Sequence, residues 1–316
     1  MMLKMVLRRL GIGVITLLVV SVLVFIGTSI LPGDVAQIIL GQGATPETLA
    51  ALRRELGLDQ PAVVRYFQWL GDLFTGDLGT SKAGGASISS LIAGRMGNTM
   101  VMAGIVAAIS IPMSICLGLY AAMHPGSWLD RIVTFGTLSL ISVPEFFIAT
   151  FMVLILAVKM RWLPAVAYMN GTETGLEWMR AMAMPIITLV IVVSAQMIRM
   201  TRAGILNVMS SPYIEMAILK GIPRKRIILR HALFNAIGPI VNVIALNLAY
   251  LVSGVVIVET IFAYPGLAKL MIDGVQTRDL PLVQACAIIF CAVYVVLILI
   301  SDIASILSNP LSLIHI

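Results

Sequence analysis

The residue with the most chemical potential in this chain is Glu145, an acid in the middle of an otherwise apolar run from Ile132 to Val158. It stands 13 residues from either end of that run. On insertion scales an acid at mid-membrane depth costs about 2.5–3.5 kcal/mol, so it calls for a partner or a task. Its chemistry would be to hold a cation or to relay a proton. Pro144 beside it lacks an N–H and can bend a helix at that point. Asn247, Tyr250 and Gly254 recur at i, i+3 and i+7 in another apolar run, which puts them on one helical face. A polar face carrying a small residue suits either a substrate path or a close helix contact, and the sequence leaves both open. Asn242 falls about 140° around the helix from Asn247, so one face does not hold both.

Other chemistries lack their residues. There is no GxxxxGK[ST] string, so no phosphate-cradling loop of that kind. Lys220-Gly221 has the order reversed, and Gly41-Gln42-Gly43 reads as a loop. The histidines are His124, His231 and His315, with no HExxH pair, and there is no GxSxG elbow. Cys116, Cys286 and Cys291 lie in apolar runs at no metal-binding spacing and read as small buried hydrophobes. The 19 methionines are scattered, which suits gap-filling between helices better than a soft-metal path. The expectation is a chain with no catalytic residue, metal or cofactor of its own.

A polar island, Tyr213 to Asn235 (YIEMAILKGIPRKRIILRHALFN), separates two apolar runs. Ser211 is placed to cap a short helix over Pro212 to Lys220, and Pro212 suits its first turn. Glu215 lies near the positive end of that helix. Gly221 is placed to end it in a left-handed conformation, and Pro223 to open the next helix. Nine residues make a helix roughly 13 Å long, which is marginal alone in water and must lie against a partner or a membrane. Seven cations surround it (Arg199, Arg202, Lys220, Arg224, Lys225, Arg226 and Arg230), and Glu215 is the one acid between the first and last of them.

Glu215, Ala217, Gly221, His231, Leu233 and Asn235 resemble the coupling-loop signature of ATP-binding cassette (ABC) importer permeases. With Tyr213 ahead, Lys220 before the glycine and RHALFNAIGPIV behind, the stretch resembles the dipeptide/oligopeptide/nickel branch of that family. Two positions depart: Met216 stands where a small residue is usual, and Ile218 where an arginine is common. The strings LPGD (Leu31–Asp34), LGLDQP (Leu56–Pro61), GDLGTS (Gly76–Ser81) and ETIFAYPGL (Glu259–Leu267) extend the resemblance over about residues 5–300. It lapses at the tail, where LSLIHI follows Asn309-Pro310 in place of a basic stretch. Ser142 and Pro144 match the family's Ser-x-Pro, but an acid next to it is unusual.

The elements that must position these residues are membrane helices. Apolar residues make up 59% of the 316-residue chain and charged ones 11%, a membrane composition. The net charge of +6 is concentrated in the polar island, so it reports topology rather than nucleic-acid binding. Runs of about 20 apolar residues span a bilayer as helices. Six are expected, at Leu10–Leu31, Thr99–Ala122, Ile132–Val158, Ala181–Ile198, Ala236–Val258 and Leu280–Ser301. The first is too long, and lacks the cleavage site, for a signal peptide. Basic residues concentrate in the N-terminus and the polar island, which puts both, and the C-terminus, on the cytoplasmic side. The segment Pro32–Asn98 and the turn Glu259–Pro281 each carry a net charge of −1, as expected outside. The loop holding Lys159, Arg161, Arg180, Glu173 and Glu177 is +1, which that topology tolerates but does not require.

Four regions follow: residues 1–31 with the N-terminus and first span, 32–98 on the outer face, 99–307 as a five-helix core with the coupling loop at about 199–235, and a tail, 308–316. The outer segment should carry amphipathic helices at Pro46–Leu56, capped by Thr45 and stopped by Gly57, and at Pro61–Phe74. The resemblance implies an all-α, type I importer permease of the bacterial inner membrane. It implies a second permease subunit, two ATPases holding ATP-Mg, and a periplasmic or lipoprotein substrate-binding protein, in contact with lipid and not nucleic acid. Tyr213, Glu215, Ala217, Lys220, Gly221, His231 and Asn235 would serve ATPase coupling. Glu145, Asn247 and Tyr250 are candidates for the pore. The rival is a secondary transporter using Glu145 as a proton or ion relay, but no inverted repeat with matching broken helices is visible. An intramembrane enzyme has no catalytic constellation to stand on.

Overall fold

The computed structural model describes residues 2–30, 35–40, 43–55, 57, 59–167, 174–253 and 255–308. LPGD at 31–34, Gly41 and Gln42, Leu56 and Leu58 of LGLDQP, Glu173, Gly254 and the tail from 309 lie outside them. Among the described residues the fold is all helix, with one isolated bridge, Thr80 to Ser87. The helices are α1 Met2–Ile30, α2 Val35–Leu40, α3 Pro46–Glu55, α4 Ala62–Thr75, α5 Ile88–Met123, α6 Trp128–Ser142 and α7 Glu145–Met152. They continue as α8 Gly175–Met209, α9 Pro212–Leu219, α10 Arg224–Ile227, α11 Leu233–Ser253, α12 Val256–Ile261, α13 Leu267–Gln276 and α14 Leu280–Ser308.

Among the described residues five stretches are long and apolar enough to cross a membrane: Val6–Ile30, Ile88–Met123, Gly175–Met209, Arg224–Ile261 and Leu280–Ile303. The sixth is the pair α6 and α7, bent by 99° at the break. Pro144 explains the break. It cannot donate to the preceding turn, and it forces Val143 into an extended conformation (ψ 128°). The interruption expected at Pro144-Glu145 is thus a sharp turn within the span.

The chain divides into two compact units. The first joins Met1–Thr99 to Pro265–Val293. In it α4 lies on α1: Ser21 and Tyr66 share a hydrogen bond of 2.9 Å, Phe25 meets Tyr66 edge-on at 5.4 Å, and the Arg65 guanidinium sits over the Phe25 ring. Val63, Phe67 and Phe74 of α4 are exposed. At about 100° per residue they fall on the side of the helix opposite Arg65. The stretch from Gly76 to Ser87 is pinned by Asp279, which is buried. Its carboxylate accepts the Ser81 hydroxyl and the Ala83 N–H and also the Leu282 N–H at the start of α14. Thr99 accepts the Leu267 N–H at 2.9 Å, and Gln284 donates to Thr28 at 2.8 Å. Buried polar groups of this unit are therefore tied across elements, as burial away from water requires.

The second unit joins Met100–Tyr264 to Tyr294–Ile316. Its inner helix is α8, which packs against α6, α7 and α11. A capping box starts α8: the Thr174 hydroxyl accepts the Glu177 N–H, and Glu177 accepts the Thr174 N–H. At its far end α8 meets α5 closely. A Cβ on Gly118 would lie 2.8 Å from Thr201 Cβ and 3.0 Å from the Ile198 carbonyl, so this approach needs glycine. Below it Ala122, Ile205, Ile228, Ala232, Ala236 and Ile240 form one apolar cluster. Two segments are π-helical, Val153–Lys159 and Ile228–Ala232.

Candidate functional site

The polar island folds as its prolines and Gly221 dictate, while Ser211 departs from its expected role. α8 ends at Met209 and Ser210-Ser211 turn the chain into α9. Ser211 occupies the N-cap with extended backbone, but its hydroxyl donates back to the Val208 carbonyl instead of capping α9. The Ser211 carbonyl still accepts from Ile214 and Glu215. Pro212 fills the first position of α9, where its missing N–H costs nothing. Gly221 ends it at φ +72°, the left-handed conformation open to glycine. The Ile222 N–H closes the end onto the Ala217 carbonyl at 3.2 Å. Pro223 then stands at the N-cap of α10.

What α9 presents follows from its helical spacing. Ile214 is fully buried and anchors it. Tyr213, Met216, Ile218 and Leu219 are exposed, Leu219 at 80%. Glu215 and Lys220 are exposed and Ala217 half-buried. Four large apolar side chains on two turns of a polar-flanked helix form the kind of exposed patch that marks contact with a protein or a membrane. Arg224, Lys225 and Arg226 stand exposed beside it. His231 lies in the π-helical turn, where its carbonyl accepts the Asn235 amide at 2.7 Å. Local π-helix is common at functional positions.

The helix that delivers α9 is clamped. Arg202 on α8 grips Asp130 on α6, Nε to Oδ1 at 2.6 Å and Nη2 to Oδ2 at 3.0 Å. Asp130 also accepts the Gly126 N–H at 2.8 Å and the Thr134 hydroxyl. Sequence reasoning missed this ion pair, because Asp130 sits beside Arg131 just before an apolar run and offers no local sign of a distant partner.

Among the pore candidates, Glu145 and Tyr250 come together. The Tyr250 hydroxyl donates to Glu145 Oε2, while Oε1 is buried with no hydrogen-bond partner among the described residues. Glu145 is the first residue of α7, directly after the break. Asn247 does not join them: its amide nitrogen bonds the Val243 carbonyl of its own helix at 2.8 Å. Asn242 accepts the Ser301 hydroxyl at 3.4 Å. Beyond the fifth span Tyr264 is fully covered, and burial, with Glu259 adding to it, pushes its phenol well above the ordinary range. That tyrosine is a neutral packing group. No cluster of three metal-ligating side chains occurs among the described residues.

With the bent pair counted as one, six apolar spans among the described residues, interrupted by a short, apolar-faced helix on a basic loop, are the arrangement of a membrane permease. The comparisons with known proteins agree. Residues 114–310 match the family described as binding-protein-dependent transport system inner membrane component, and residues 2–117 match its N-terminal companion. The chain belongs to this family. It is 36% identical over 310 residues to a putative peptide transport system permease protein of Brucella melitensis, covering 98% of each chain. A probable peptide ABC transporter permease protein of Sinorhizobium fredii is 32% identical over 306 residues, covering 96% of this chain and 97% of that one. A glutathione transport system permease protein of Salmonella choleraesuis is 33% identical over 310 residues, covering 98% of each. The chain is thus an ABC importer permease, a multi-pass inner-membrane component.

Proposed function

We propose that this chain forms half of the translocation pore of an ATP-driven importer of peptides and is driven through α9. The observation that carries the reading is the exposed apolar surface of α9, anchored by Ile214 at one side and ended by Gly221. A lone chain would not keep Tyr213, Met216 and Leu219 in water, and a groove on a cytoplasmic ATPase covers them. Tyr213, Glu215, Ala217, Lys220 and Gly221 form or end that lever, while His231 and Asn235 brace its return to the membrane. ATP-Mg belongs to two ATPase partners. A second permease subunit completes the pore and a substrate-binding protein delivers the peptide. Both termini and the α9 loop face the cytoplasm, since the loop's cations favour that side. Peptide as cargo is supported by the names of the relatives.

The ion-gradient alternative is not favoured by the family relationship, and it leaves the α9 surface unexplained. The test is copurification of the ATPases with this chain and its sister subunit, followed by uptake into proteoliposomes. Peptide uptake that needs ATP and the binding protein is expected. Uptake that persists without ATP but collapses with a proton ionophore would refute the reading. The chain purified alone should show no ATP hydrolysis above background.

A further inference from the structure

We propose, on the peptide-importer reading above, that the Glu145 carboxylate held by Tyr250 is a recognition point for the ammonium group of the translocated peptide. Glu145 stands at the break of a span, with α6 ending at Ser142 and α7 starting at Glu145. The last carbonyls of α6 lack intrahelical donors; Val143 satisfies that of Leu140, and the end as a whole carries partial negative charge. Tyr250 lies on α11. Carbonyl ends of broken helices near mid-membrane are where transporters hold cations.

The carboxylate is half used. Tyr250 takes one oxygen and leaves the other buried with no donor among the described residues. No cationic side chain among the described residues pairs with Glu145; Arg202 and Lys269 are committed to Asp130 and Asp273. A buried acceptor left open is costly unless something supplies the donor. An ammonium brings three donors on a compact charge, enough for Oε1 and for carbonyls at the end of α6. A divalent metal does not fit, because one carboxylate and a phenol are too few ligands and no metal-ligating cluster occurs among the described residues.

The test uses the complete transporter in proteoliposomes, with trialanine as probe and the loaded binding protein varied. Glu145→Gln keeps shape and hydrogen bonding but removes the charge. Its maximal uptake should fall tenfold or more, while the half-saturating concentration of binding protein and ATPase copurification stay unchanged. Glu145→Asp should retain most of the rate. A merely structural pair is separated by the double variant Glu145→Leu with Tyr250→Phe, since removing both partners of a buried hydrogen bond is often close to neutral. Recovery of wild-type uptake in the double variant, or an unaffected Glu145→Gln, overturns the proposal while leaving the importer reading intact. Absence of ATP-dependent uptake by the wild type defeats that reading, and this proposal with it.

Discussion

Arg202 and Asp130 form a two-pronged ion pair, 72 residues apart in the chain, that locks α8 to α6 two turns before α8 gives way to α9. Asp130 is 5% exposed at its side chain and Arg202 25%. With Gly126 and Thr134 also donating, the carboxylate is fully engaged. Any force that an ATPase applies to α9 enters α8 at Met209 and reaches this clamp within about 10 Å. Gly118 against Thr201 sits one residue away on α8, so α5 is held at the same level.

Breaking this clamp should therefore separate hydrolysis from transport. Arg202→Gln leaves the Asp130 carboxylate buried without its cation, a type of change that costs roughly 3–5 kcal/mol. Asp130→Asn, which keeps one acceptor oxygen, should be milder. Arg202→Lys keeps the charge but loses the two-pronged geometry. The measurement is peptide taken up per ATP hydrolysed. That ratio should fall for Arg202→Lys even where ATPase copurification is normal. An unchanged ratio with a lowered melting temperature would reduce the clamp to a fold-stabilising contact.

How much of this was legible in the sequence depends on how far apart the partners lie. Thr45, Gly57, Gly221 and Pro223 act on their immediate neighbours, and local rules located each of them. The break at Pro144 was legible for the same reason, though not its 99° angle, which the packing of α7 against α8 and α12 decides. Arg202 with Asp130 and Ser81 with Asp279 join residues 72 and 198 positions apart, and an isolated charge near the end of an apolar run reads as a group reaching for water. Helix ends also escaped. Hydropathy marked Ala181–Ile198, but α8 runs from Gly175 to Met209, because Thr174 and Glu177 cap it ahead of the apolar stretch and it continues past the span. Ser211 has the residue type of a cap, yet its hydroxyl turns back to donate to the Val208 carbonyl and accepts from no N–H of α9.

Gly118 should be intolerant of any side chain. A Cβ there meets the Thr201 side chain at 2.8 Å and the Ile198 backbone at 3.0 Å. Backbone cannot swing aside, so Gly118→Ala forces α5 and α8 apart at an overpacking cost of about 1–3 kcal/mol. The expected result is a lower inactivation temperature of the purified complex. Thr201→Ala removes the Cγ2 contact at 2.9 Å but keeps the Cβ at 2.8 Å, so it should give little relief in the double variant, whereas Thr201→Gly removes both side-chain contacts and should give more. Equal stability of Gly118→Ala and wild type would show that α5 and α8 have room to spare at this crossing.

Asp279 should hold the Gly76–Ser87 stretch in place. Its carboxylate serves the Ser81 hydroxyl and the N–H groups of Ala83 and Leu282. Asp279→Ala removes the acceptor from all three, and losing hydrogen bonds to a charged group typically costs about 1.5–3 kcal/mol each before water compensates. Limited proteolysis should then cut between Gly76 and Ser87 faster than in the wild type, whereas Asp279→Asn should be intermediate. Cleavage at the wild-type rate in Asp279→Ala would mean that the bridge between Thr80 and Ser87 suffices.

The C-terminal end of α9 gives the sharpest pair of variants, because Gly221 and Leu219 there should fail in different ways. Gly221 sits at φ +72°, and no neighbouring atom comes within 4 Å of the point where a Cβ would stand. A side chain there fits in space and is opposed by backbone conformation alone. That strain is roughly 1–2 kcal/mol for an ordinary residue and greater for a β-branched one. Gly221→Asn, which tolerates the left-handed region, should keep α9 in position and preserve coupling. Gly221→Val should unwind the last turn and carry Leu219 out of register. Leu219→Glu leaves the backbone alone but places a charge on the most exposed apolar position of the helix, 80% accessible in the single chain. It should abolish ATPase copurification without lowering the stability of the permease itself. Glu215→Lys, which puts a cation at the positive end of α9, should weaken binding less. The order expected in copurified ATPase is Gly221→Asn, then Glu215→Lys, then Gly221→Val, then Leu219→Glu. A Leu219→Glu variant that copurifies its ATPase normally would place the contact surface elsewhere on the loop.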